Sequence, residues 1–193
     1  HREDDPRSLG ADGVMALLGA RDGRIWVGTY GGGISIIDPA DGSVLRIAYD
    51  PRSDAALSSP RVTSMAQGPD GTIWSGTDGG GLNALSEAGQ VLGVWRHDSH
   101  DAGSLSSNTV YAVHIDGTGR LWVGTDSGGL DRLVGSAAKP ADVRFVNLST
   151  DDGLASNAVS GIQPGEGGSL SLSGNQGLTR YEPPSGATAR YPR

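Results

Sequence analysis

The stretch RHDSHDAG holds the side chains of this chain that are best suited to metal chemistry. It places His97 and His100 beside Asp98 and Asp101. Imidazole nitrogens and carboxylate oxygens this close together can chelate a divalent ion. The corresponding stretches REDDPRS and YDPRSDA are equally polar but carry no such pair of histidines. We therefore predict a solvated link between strands, with His97 and His100 as the candidate metal ligands and no bound cofactor.

Glycine-rich stretches are the second feature that could carry chemistry. A phosphate-binding loop needs glycines ahead of a helix and a Gly-Lys-Ser/Thr ending, whereas no lysine follows GTDGGG at Gly76. GPDG and DGTG each supply one carboxylate where calcium requires several alternating oxygen ligands. His114 is a lone histidine, and no nucleophile-elbow motif marks a serine. The glycine stretches are therefore predicted to be turns.

Composition limits the classes of partner. Among 193 residues, 15 are Lys or Arg and 22 are Asp or Glu, which leaves a net charge of −7 without basic clusters. Such a surface disfavours nucleic acid and anionic lipid. No apolar run approaches the roughly 20 residues of a membrane helix, so we expect no direct membrane insertion. The absence of cysteine excludes disulfides and thiol catalysis.

The elements that position these residues come from an internal repeat. Trp26, Trp74 and Trp122 recur at a spacing of 48 residues, and Ser171 stands in the corresponding place of a fourth copy. A leucine precedes an inner valine by five residues in every copy. Repeats at such a period are typical of propellers and solenoids. Because a catalytic motif usually occurs once in a chain, three copies of one motif indicate a structural role for it.

Each repeat has the signature of four short strands. In the third copy, apolar and β-branched runs cover residues 110–115, 120–125, 130–133 and 143–148, separated by Gly, Asp and Asn. That pattern is typical of antiparallel strands joined by hairpins. We predict an all-β fold, one β-propeller domain over residues 1–193 made of four-stranded antiparallel blades. The predicted blades cover residues 10–56, 57–104, 105–153 and 154–193.

Residues shared by the copies are predicted to be structural. Small residues follow the inner valine by two positions and aliphatic residues by three, as the crowded axis of a propeller requires. The tryptophans are predicted to be apolar plates between neighbouring blades.

Residues that vary on this constant frame are the candidates for ligand recognition. Variation follows the Gly-Thr pair and flanks the inner valine. The candidate ligand-binding residues are Tyr30, Arg61, Asp78, Tyr111, Asp126 and Asn175. The other positions flanking the valine also vary, namely Gly13, Met15, Thr63, Thr109, Ala158 and Ser160.

The motif SLSSNTVYAVHIDGTGRLWVGTDSGGLDRL resembles the two-component regulator propeller repeat. The likeness lies in an Asn-x-Val inner strand, an Asp-x-x-Gly-x-Leu-Trp-x-Gly-Thr strand and a Gly-Gly-Leu-x-Arg strand. The first two copies match well, whereas the fourth has Ser171 for tryptophan and Gly174 for threonine.

This resemblance implies the periplasmic sensor region of an inner-membrane receptor. Such receptors carry propellers of usually seven blades and signal through a histidine kinase or a diguanylate cyclase. In the better understood branch, the ligands are oligosaccharides. The resemblance brings no catalytic residue to this chain, so a non-enzymatic sensor is expected.

Four copies leave the blade count open between a closed four-bladed ring, an arc of a seven-bladed ring and half of a dimer. We favour an arc, whose open faces are expected to promote self-association. Two rival functions remain. One is a propeller enzyme similar to streptogramin lyases, although Ser-Gly-Thr follows Trp74 where those enzymes have Phe-Thr-Glu. The other is a protein-interaction scaffold.

Overall fold

The fold is built mainly from short antiparallel strands. The computed structural model describes residues 2, 5, 7–53, 55–183 and 185–191. Within this part of the chain, sixteen strands form four sheets, and each sheet contains four strands that are consecutive in the chain. Every strand pairs antiparallel with its neighbours. The predicted propeller of four-stranded blades is confirmed.

The strands follow the chain order, four to a blade, from the innermost strand to the outermost. Blades 1 and 2 contain β1 (Val14–Gly19), β2 (Ile25–Thr29), β3 (Ile34–Ile37), β4 (Val44–Ile47), β5 (Val62–Gln67), β6 (Ile73–Thr77), β7 (Gly81–Leu85) and β8 (Val91–Trp95). Blades 3 and 4 contain β9 (Val110–Ile115), β10 (Leu121–Thr125), β11 (Leu130–Val134), β12 (Arg144–Leu148), β13 (Gly161–Pro164), β14 (Leu170–Gly174), β15 (Gly177–Glu182) and β16 (Ala187–Tyr191).

The connections contain three short 3-10 helices. They cover Pro140–Asp142, Thr150–Asp152 and Glu166–Gly168. The strands of blade 3 begin and end within one residue of the runs in the sequence, so the hairpin signature located them well.

The glycine stretches are hairpin turns between the second and third strands, as expected. The Thr77 hydroxyl donates to the carbonyl of Gly81 at 2.7 Å, and the Thr125 hydroxyl donates to that of Gly129 at 3.1 Å. Gly81 and Gly129 adopt φ of +81° and +93°, a region that side chains disfavour. The Gly-Thr pair and the glycines after it therefore close the turn together.

Apolar side chains fill the space between consecutive blades. We call the side of a blade that carries Trp26, Trp74 or Trp122 its trailing face, and the opposite side its leading face. Trp26 is buried in a cluster that includes Val62 and Ile73 on the leading face of blade 2. Trp74 and Trp122 occupy the corresponding clusters between blades 2 and 3 and between blades 3 and 4.

A glycine on the trailing face makes each blade contact close. A Cβ atom on Gly28 would lie 2.5 Å from Val62 Cγ1, and one on Gly76 would lie 2.5 Å from Val110 Cγ1. Gly124 meets Val159 of blade 4 in the same way. The inner valine of one blade therefore fits only against a glycine of the blade before it.

The four blades form an open arc. The inner strands lie side by side in chain order, with β1 against β5, β5 against β9 and β9 against β13. On the leading face of blade 1, Val14, Leu17 and Ile25 are exposed, whereas Val27 is buried. On the trailing face of blade 4, Leu178 is exposed.

Candidate functional site

A β-bulge in the inner strand turns one variable side chain of a blade toward the mouth of the central axis. In blade 1, Val14 pairs with Thr29 and Ala16 with Gly28, so Met15 is the extra residue. The pairing between β5 and β6 shifts at Thr63, and that between β9 and β10 shifts at Tyr111. Bulges redirect side chains in this manner and are common beside binding sites.

These bulged residues meet in one cleft, which we call the axial cleft. It has a volume of about 420 Å³ and draws residues from all four blades. Its lining residues are Met15, Tyr30, Thr63, Asp78, Thr109, Tyr111 and Ser160.

The axial cleft presents apolar faces to solvent. Tyr30 is 53% exposed and Tyr111 is 43% exposed. Met15 also lines the cleft and is 57% exposed. Aromatic side chains combine a flat apolar surface with a polar hydroxyl, and they are frequent at binding surfaces for that reason.

The charges beside the cleft are paired with each other. Arg61 Nε lies 2.8 Å from Asp78 Oδ2, and both side chains are partly exposed. The Arg61 guanidinium carbon lies 5.7 Å from the Tyr30 ring centre, and the Tyr30 hydroxyl donates to Asp78 Oδ2 at 3.4 Å. Thr109 Oγ1 donates to the other carboxylate oxygen, Oδ1, at 3.3 Å. The cleft therefore offers fixed hydroxyls and a neutralised ion pair.

The structure brings four of the six predicted ligand-binding residues together. Tyr30, Asp78 and Tyr111 line the axial cleft, and Arg61 holds Asp78 beside it. Asp126 and Asn175 lie in the equivalent loops of blades 3 and 4 but do not line the cleft.

Asp126 and Asn175 hold the links that enter their blades. The Ser107 hydroxyl donates to Asp126 Oδ1 at 2.6 Å, and the Ser156 hydroxyl donates to Asn175 Oδ1 at 2.6 Å. In blade 2 the Ser59 hydroxyl uses the backbone carbonyl of Asp78 instead, at 2.9 Å. That exchange leaves the Asp78 side chain available to the cleft.

Four further lining residues were recognised in the sequence only as variable positions. Three of them, Met15, Thr63 and Ser160, directly follow the inner valine, and Thr109 directly precedes it. A residue that varies beside a constant valine in every repeat was the signal that could have selected them.

The two candidate metal ligands point to different partners. His97 Nδ1 lies 2.8 Å from the carbonyl oxygen of Leu105, and the backbone N–H of His97 donates to Asn108 Oδ1. His100 Nδ1 lies 3.3 Å from Asp98 Oδ1 on the open surface. Within the described residues, no group of three or more His, Asp or Glu side chains is placed to hold a metal ion.

Two buried aspartates of blade 3 support the frame rather than the cleft. Burial alone would raise the pKa of Asp116, but hydrogen bonds from Thr118, Trp122 and Arg120 outweigh it and hold the pKa far below its usual range. Burial raises the pKa of Asp131 despite hydrogen bonds from Ser106 and Asn147.

His114 is also away from the cleft lining. Burial lowers the pKa of its imidazole, and the nearby Asp116 carboxylate opposes that shift. The side chain lies on β9, where its residue pairs with Trp122. Its Nε2 atom is buried and has no hydrogen-bond partner among the described residues, so the imidazole is not placed to act as a general base in the cleft.

Comparison with known proteins identifies the repeat. The family model of the two component regulator propeller matches residues 8–31, 56–79 and 104–127. The matched residues lie in the first three repeats of the chain, and the match agrees with the resemblance that the sequence motif indicated. No curated protein sequence matches the chain.

Solved structures share the fold. The chain is similar to the extracellular domain of a hybrid two component system of B. thetaiotaomicron, with a TM-score of 0.78 and 20% identity over 95% of this chain and 25% of that one. It is similar to the extracellular domain of a one component system of the same organism, with a TM-score of 0.75 and 20% identity over 96% and 26%.

A third similar structure is PorZ, a surface component of the type-IX secretion system of Porphyromonas gingivalis. Its TM-score is 0.68 at 16% identity over 99% of this chain and 29% of PorZ. The chain thus spans about a quarter of the length of these proteins. In the part of the chain that is described, no helix is long and apolar enough to span a bilayer.

Proposed function

We propose that this propeller is the non-enzymatic, ligand-sensing part of a bacterial transmembrane signalling receptor. In this proposal it lies in the periplasm, and the axial cleft binds a neutral oligosaccharide. The observation that carries the proposal is the cleft itself, in which exposed tyrosines flank an ion pair that is already neutralised.

The chemistry of the cleft favours a neutral polyhydroxy ligand. Tyr30 and Tyr111 offer flat apolar faces to the C–H surfaces of sugar rings. Thr63 and Ser160 add hydroxyls from other blades. A volume of about 420 Å³ lies within the range of small-ligand sites. Because Arg61 already neutralises Asp78, no unpaired charge on the lining calls for a charged ligand.

The same contacts disfavour catalysis in the cleft. Asp78 is the carboxylate of the lining, and it accepts hydrogen bonds from Tyr30 and Thr109 while it pairs with Arg61. A carboxylate so engaged is a poor general base, since its partners stabilise the charged form. Binding without chemistry is the simpler use of these residues.

Signalling would follow from the contacts that a ligand makes with several blades at once. Met15 and Tyr30 belong to blade 1, Tyr111 to blade 3 and Ser160 to blade 4. A ligand that bridges them changes the energy of one blade arrangement relative to another, and only such a differential affinity can shift a conformational equilibrium. In a receptor dimer, membrane helices would relay the shift to a histidine kinase or a diguanylate cyclase.

The match to two component regulator propeller repeats and the similarity to extracellular receptor domains support this placement. These two comparisons concern the kind of protein in which such blades occur, and they carry no information on the ligand. The neutral-sugar specificity rests on the residues of the cleft alone.

The test is calorimetric titration of the chain with neutral oligosaccharides of three to six sugar units and with uronic-acid oligosaccharides of the same lengths. We expect saturable binding of a neutral sugar, weakened about 10-fold or more by Tyr30→Ala or Tyr111→Ala. Tyr191→Ala is the matched control, because Tyr191 is equally exposed but lies on the outer strand of blade 4.

Three results would overturn the proposal. They are preferential binding of the acidic sugars, no saturable binding of any neutral sugar, and equal weakening by Tyr191→Ala. A divalent-ion titration followed by tryptophan fluorescence addresses the lyase-like alternative, which requires tight metal binding.

A further inference from the structure

A second cavity lies between blades 2 and 3, at the ends of the inner strands away from the axial cleft. Thr63 and Tyr111, near the start of β5 and β9, line the axial cleft. The second cavity is lined by Gly68, which follows the end of β5, and by Ile115, the last residue of β9. We call it the Trp74 pocket, after another lining residue, and its volume is about 250 Å³.

The residue six places before each tryptophan between blades determines what the indole N–H contacts. In blade 3 this residue is Asp116, and Trp122 Nε1 donates to Asp116 Oδ2 at 2.9 Å. In blade 1 it is Ala20, and the N–H of Trp26 is buried without a hydrogen-bond partner among the described residues. In blade 2 it is Gly68, so no side chain stands where blade 3 has its carboxylate.

The indole N–H of Trp74 is therefore left facing the pocket. A Cβ atom on Gly68 would lie 3.6 Å from Trp74 Nε1, and both residues line the pocket. Trp74 is only 5% exposed, and its N–H donates to none of the residues that the structure describes. A buried donor without a partner is unfavourable, so an acceptor supplied by a ligand would be stabilised here.

The Asp70 carboxylate lies beside the same space. Its Oδ1 would be 2.8 Å from a Cβ atom on Gly68, and it accepts the backbone N–H of Thr72 at 3.1 Å. No donor in the described part of the chain binds Asp70 Oδ2. The pocket thus offers an indole donor and a carboxylate acceptor, both close to the place of one missing side chain.

The opposite wall of the pocket is apolar. Ile115, Leu121 and Leu133 of blade 3 line it, and Leu121 is only 3% exposed. An aliphatic group placed against these side chains would remove apolar surface from water. The volume lies just below the range of about 300–1,000 Å³ for drug-sized ligands, so a smaller molecule fits.

These features discriminate between small polar groups. A ligand carboxylate would accept from Trp74 but would meet a like charge in the Asp70 carboxylate. An ammonium group would pair with Asp70 but has no lone pair to accept from Trp74. A hydroxyl must use one oxygen for both contacts, whereas a carboxamide has a separate oxygen acceptor and nitrogen donor.

We propose that the Trp74 pocket is a second binding site of this propeller, specific for a small aliphatic carboxamide. The amide oxygen accepts from Trp74 Nε1, the amide nitrogen donates to Asp70, and the hydrocarbon part packs against Leu121. Because the site draws residues from blades 2 and 3, its ligand stabilises the contact between them. The site is separate from the axial cleft, and it does not depend on the sugar binding proposed there.

The experiment is a heteronuclear NMR titration of the isotopically labelled chain with isobutyramide, in which the indole N–H signals of the four tryptophans are followed. We expect the signal of Trp74 to shift saturably as its new hydrogen bond forms. The signal of Trp122 should stay in place, because its N–H is already bound by Asp116. Isobutyrate, isobutylammonium and isobutanol have similar hydrocarbon parts and should bind about 10-fold more weakly or worse, because each lacks one of the two polar contacts or must make both with one oxygen.

The decisive variant gives blade 2 the polar residues of blade 3. Gly68→Asp with Asp70→Thr reproduces Asp116 and Thr118, whose hydroxyl donates to Asp116 Oδ1 at 2.6 Å. The φ of Gly68 is not positive, so the backbone accepts a side chain there. We expect this variant to lose binding of isobutyramide. Its Trp74 signal without ligand should move as ligand moves it in the original chain, because the introduced carboxylate accepts the N–H.

The matched control makes the same two changes in blade 1, Ala20→Asp with Asp22→Thr. Arg24 can then pair with the introduced carboxylate as Arg120 pairs with Asp116 in blade 3. This control leaves the Trp74 pocket intact, so its affinity for isobutyramide should be unchanged.

Three results would overturn the proposal. They are no saturable shift of the Trp74 signal in the original chain, binding of isobutyrate or isobutanol as tight as that of isobutyramide, and unchanged binding in the blade 2 variant. Should that variant fail to fold, Asp70→Asn provides a second measurement, because it removes only the like charge. It should raise the affinity for isobutyrate relative to isobutyramide, and an unchanged ratio contradicts the proposal.

Tyr30→Ala separates this site from the axial cleft. It should weaken sugar binding and leave isobutyramide binding unchanged, since Tyr30 does not line the Trp74 pocket. Failure of one proposal is therefore distinguishable from failure of the other.

Discussion

The surfaces between blades and the axial cleft are built from adjacent residues of the same strands, yet they obey opposite rules. Val62 is fully buried against Gly28, while Thr63 next to it lines the cleft. Val110 and Tyr111 repeat this division in blade 3. The bulge after each valine is what separates the two roles.

The difference indicates that the residues that stabilise the frame and the residues proposed to bind a ligand are separate sets in this molecule. Side chains between blades are the same in most repeats, apolar and closely packed. Adding or removing a single methyl or methylene group there is therefore expected to lower the stability of the fold. Side chains of the cleft are variable and face solvent, so they can change without loss of the frame. The following predictions test this separation, beginning with the largest effect.

Removal of a tryptophan between blades should have the largest effect. Trp122 is fully buried and donates its indole N–H to Asp116 at 2.9 Å. We expect Trp122→Ala to reduce the free energy of unfolding by about 3–5 kcal/mol in urea titrations. Ser171→Ala at the corresponding place in blade 4 should stay within about 0.5 kcal/mol. Similar losses for the two variants would show that the buried tryptophan is not a major source of stability between blades.

A single added methyl group between blades should have the next largest effect. In Gly76→Ala the new Cβ atom would lie 2.5 Å from Val110 and 2.8 Å from Ser64 Oγ. We expect a loss of about 1–3 kcal/mol from overpacking. Gly19→Ala is the control, because a Cβ atom there meets nothing within 4 Å. If chemical denaturation shows equal effects, the close approach of blades is not a source of stability.

Two aspartates of blade 3 should affect the pH dependence of stability in opposite directions. Asp116 has a lowered pKa, so the folded state binds fewer protons than the unfolded state, and its contribution is lost as pH falls below about 4. Asp131 has a raised pKa, so its contribution is lost as pH rises above that value. One pKa unit corresponds to about 1.4 kcal/mol.

Asp116→Asn should therefore flatten the rise in stability between pH 2 and pH 5, and Asp131→Asn should steepen it. The second substitution has a precedent in blade 2, where Asn83 occupies the same place and accepts from Ser58 N–H at 3.0 Å. Urea titrations across that pH range give the slopes. Changes of the same sign in the two variants would show that the hydrogen bonds to Asp116 do not outweigh its burial.

The smallest effect on stability is expected in the axial cleft. Asp78→Asn removes a partly exposed ion pair with Arg61, which should change the free energy of unfolding by less than about 1 kcal/mol. It leaves an unpaired cation beside the cleft, so calorimetry should show weaker binding of neutral sugars and a gain for uronic-acid sugars. Asp126→Asn, outside the cleft, should leave this preference unchanged. A large loss of stability in Asp78→Asn would show that residues of the cleft also stabilise the frame, which contradicts the separation described above.

Much of the fold was predictable because each repeat states the same local rules. The Gly-Thr pair and the glycines after it predicted a turn, and Thr77 and Gly81 form one. The strands of blade 3 were located to within a residue by their apolar runs. Because the same strand and turn pattern occurs in several copies, a pattern too weak to predict the fold from one copy could be recognised by comparing the copies.

The candidate site was predictable only in part. Tyr30, Asp78 and Tyr111 were selected by variation and do line the cleft. Asp126 was selected on the same ground, but its carboxylate accepts from Ser107 and Ser127 instead. The position of a residue in the repeat does not reveal whether its side chain forms hydrogen bonds within its own blade or faces the axial cleft.

By itself, the sequence determined the repeat, the four-stranded blades, their turns and the residues common to every blade contact. These features depend on neighbours within one repeat, whose order along the chain is visible. Only the tertiary structure decided which variable side chains meet at the axis, that Arg61 neutralises Asp78, and that apolar side chains are exposed at both ends of the arc. Those facts depend on distances between blades, because side chains 48 residues or more apart come together only when the blades are packed around a common axis.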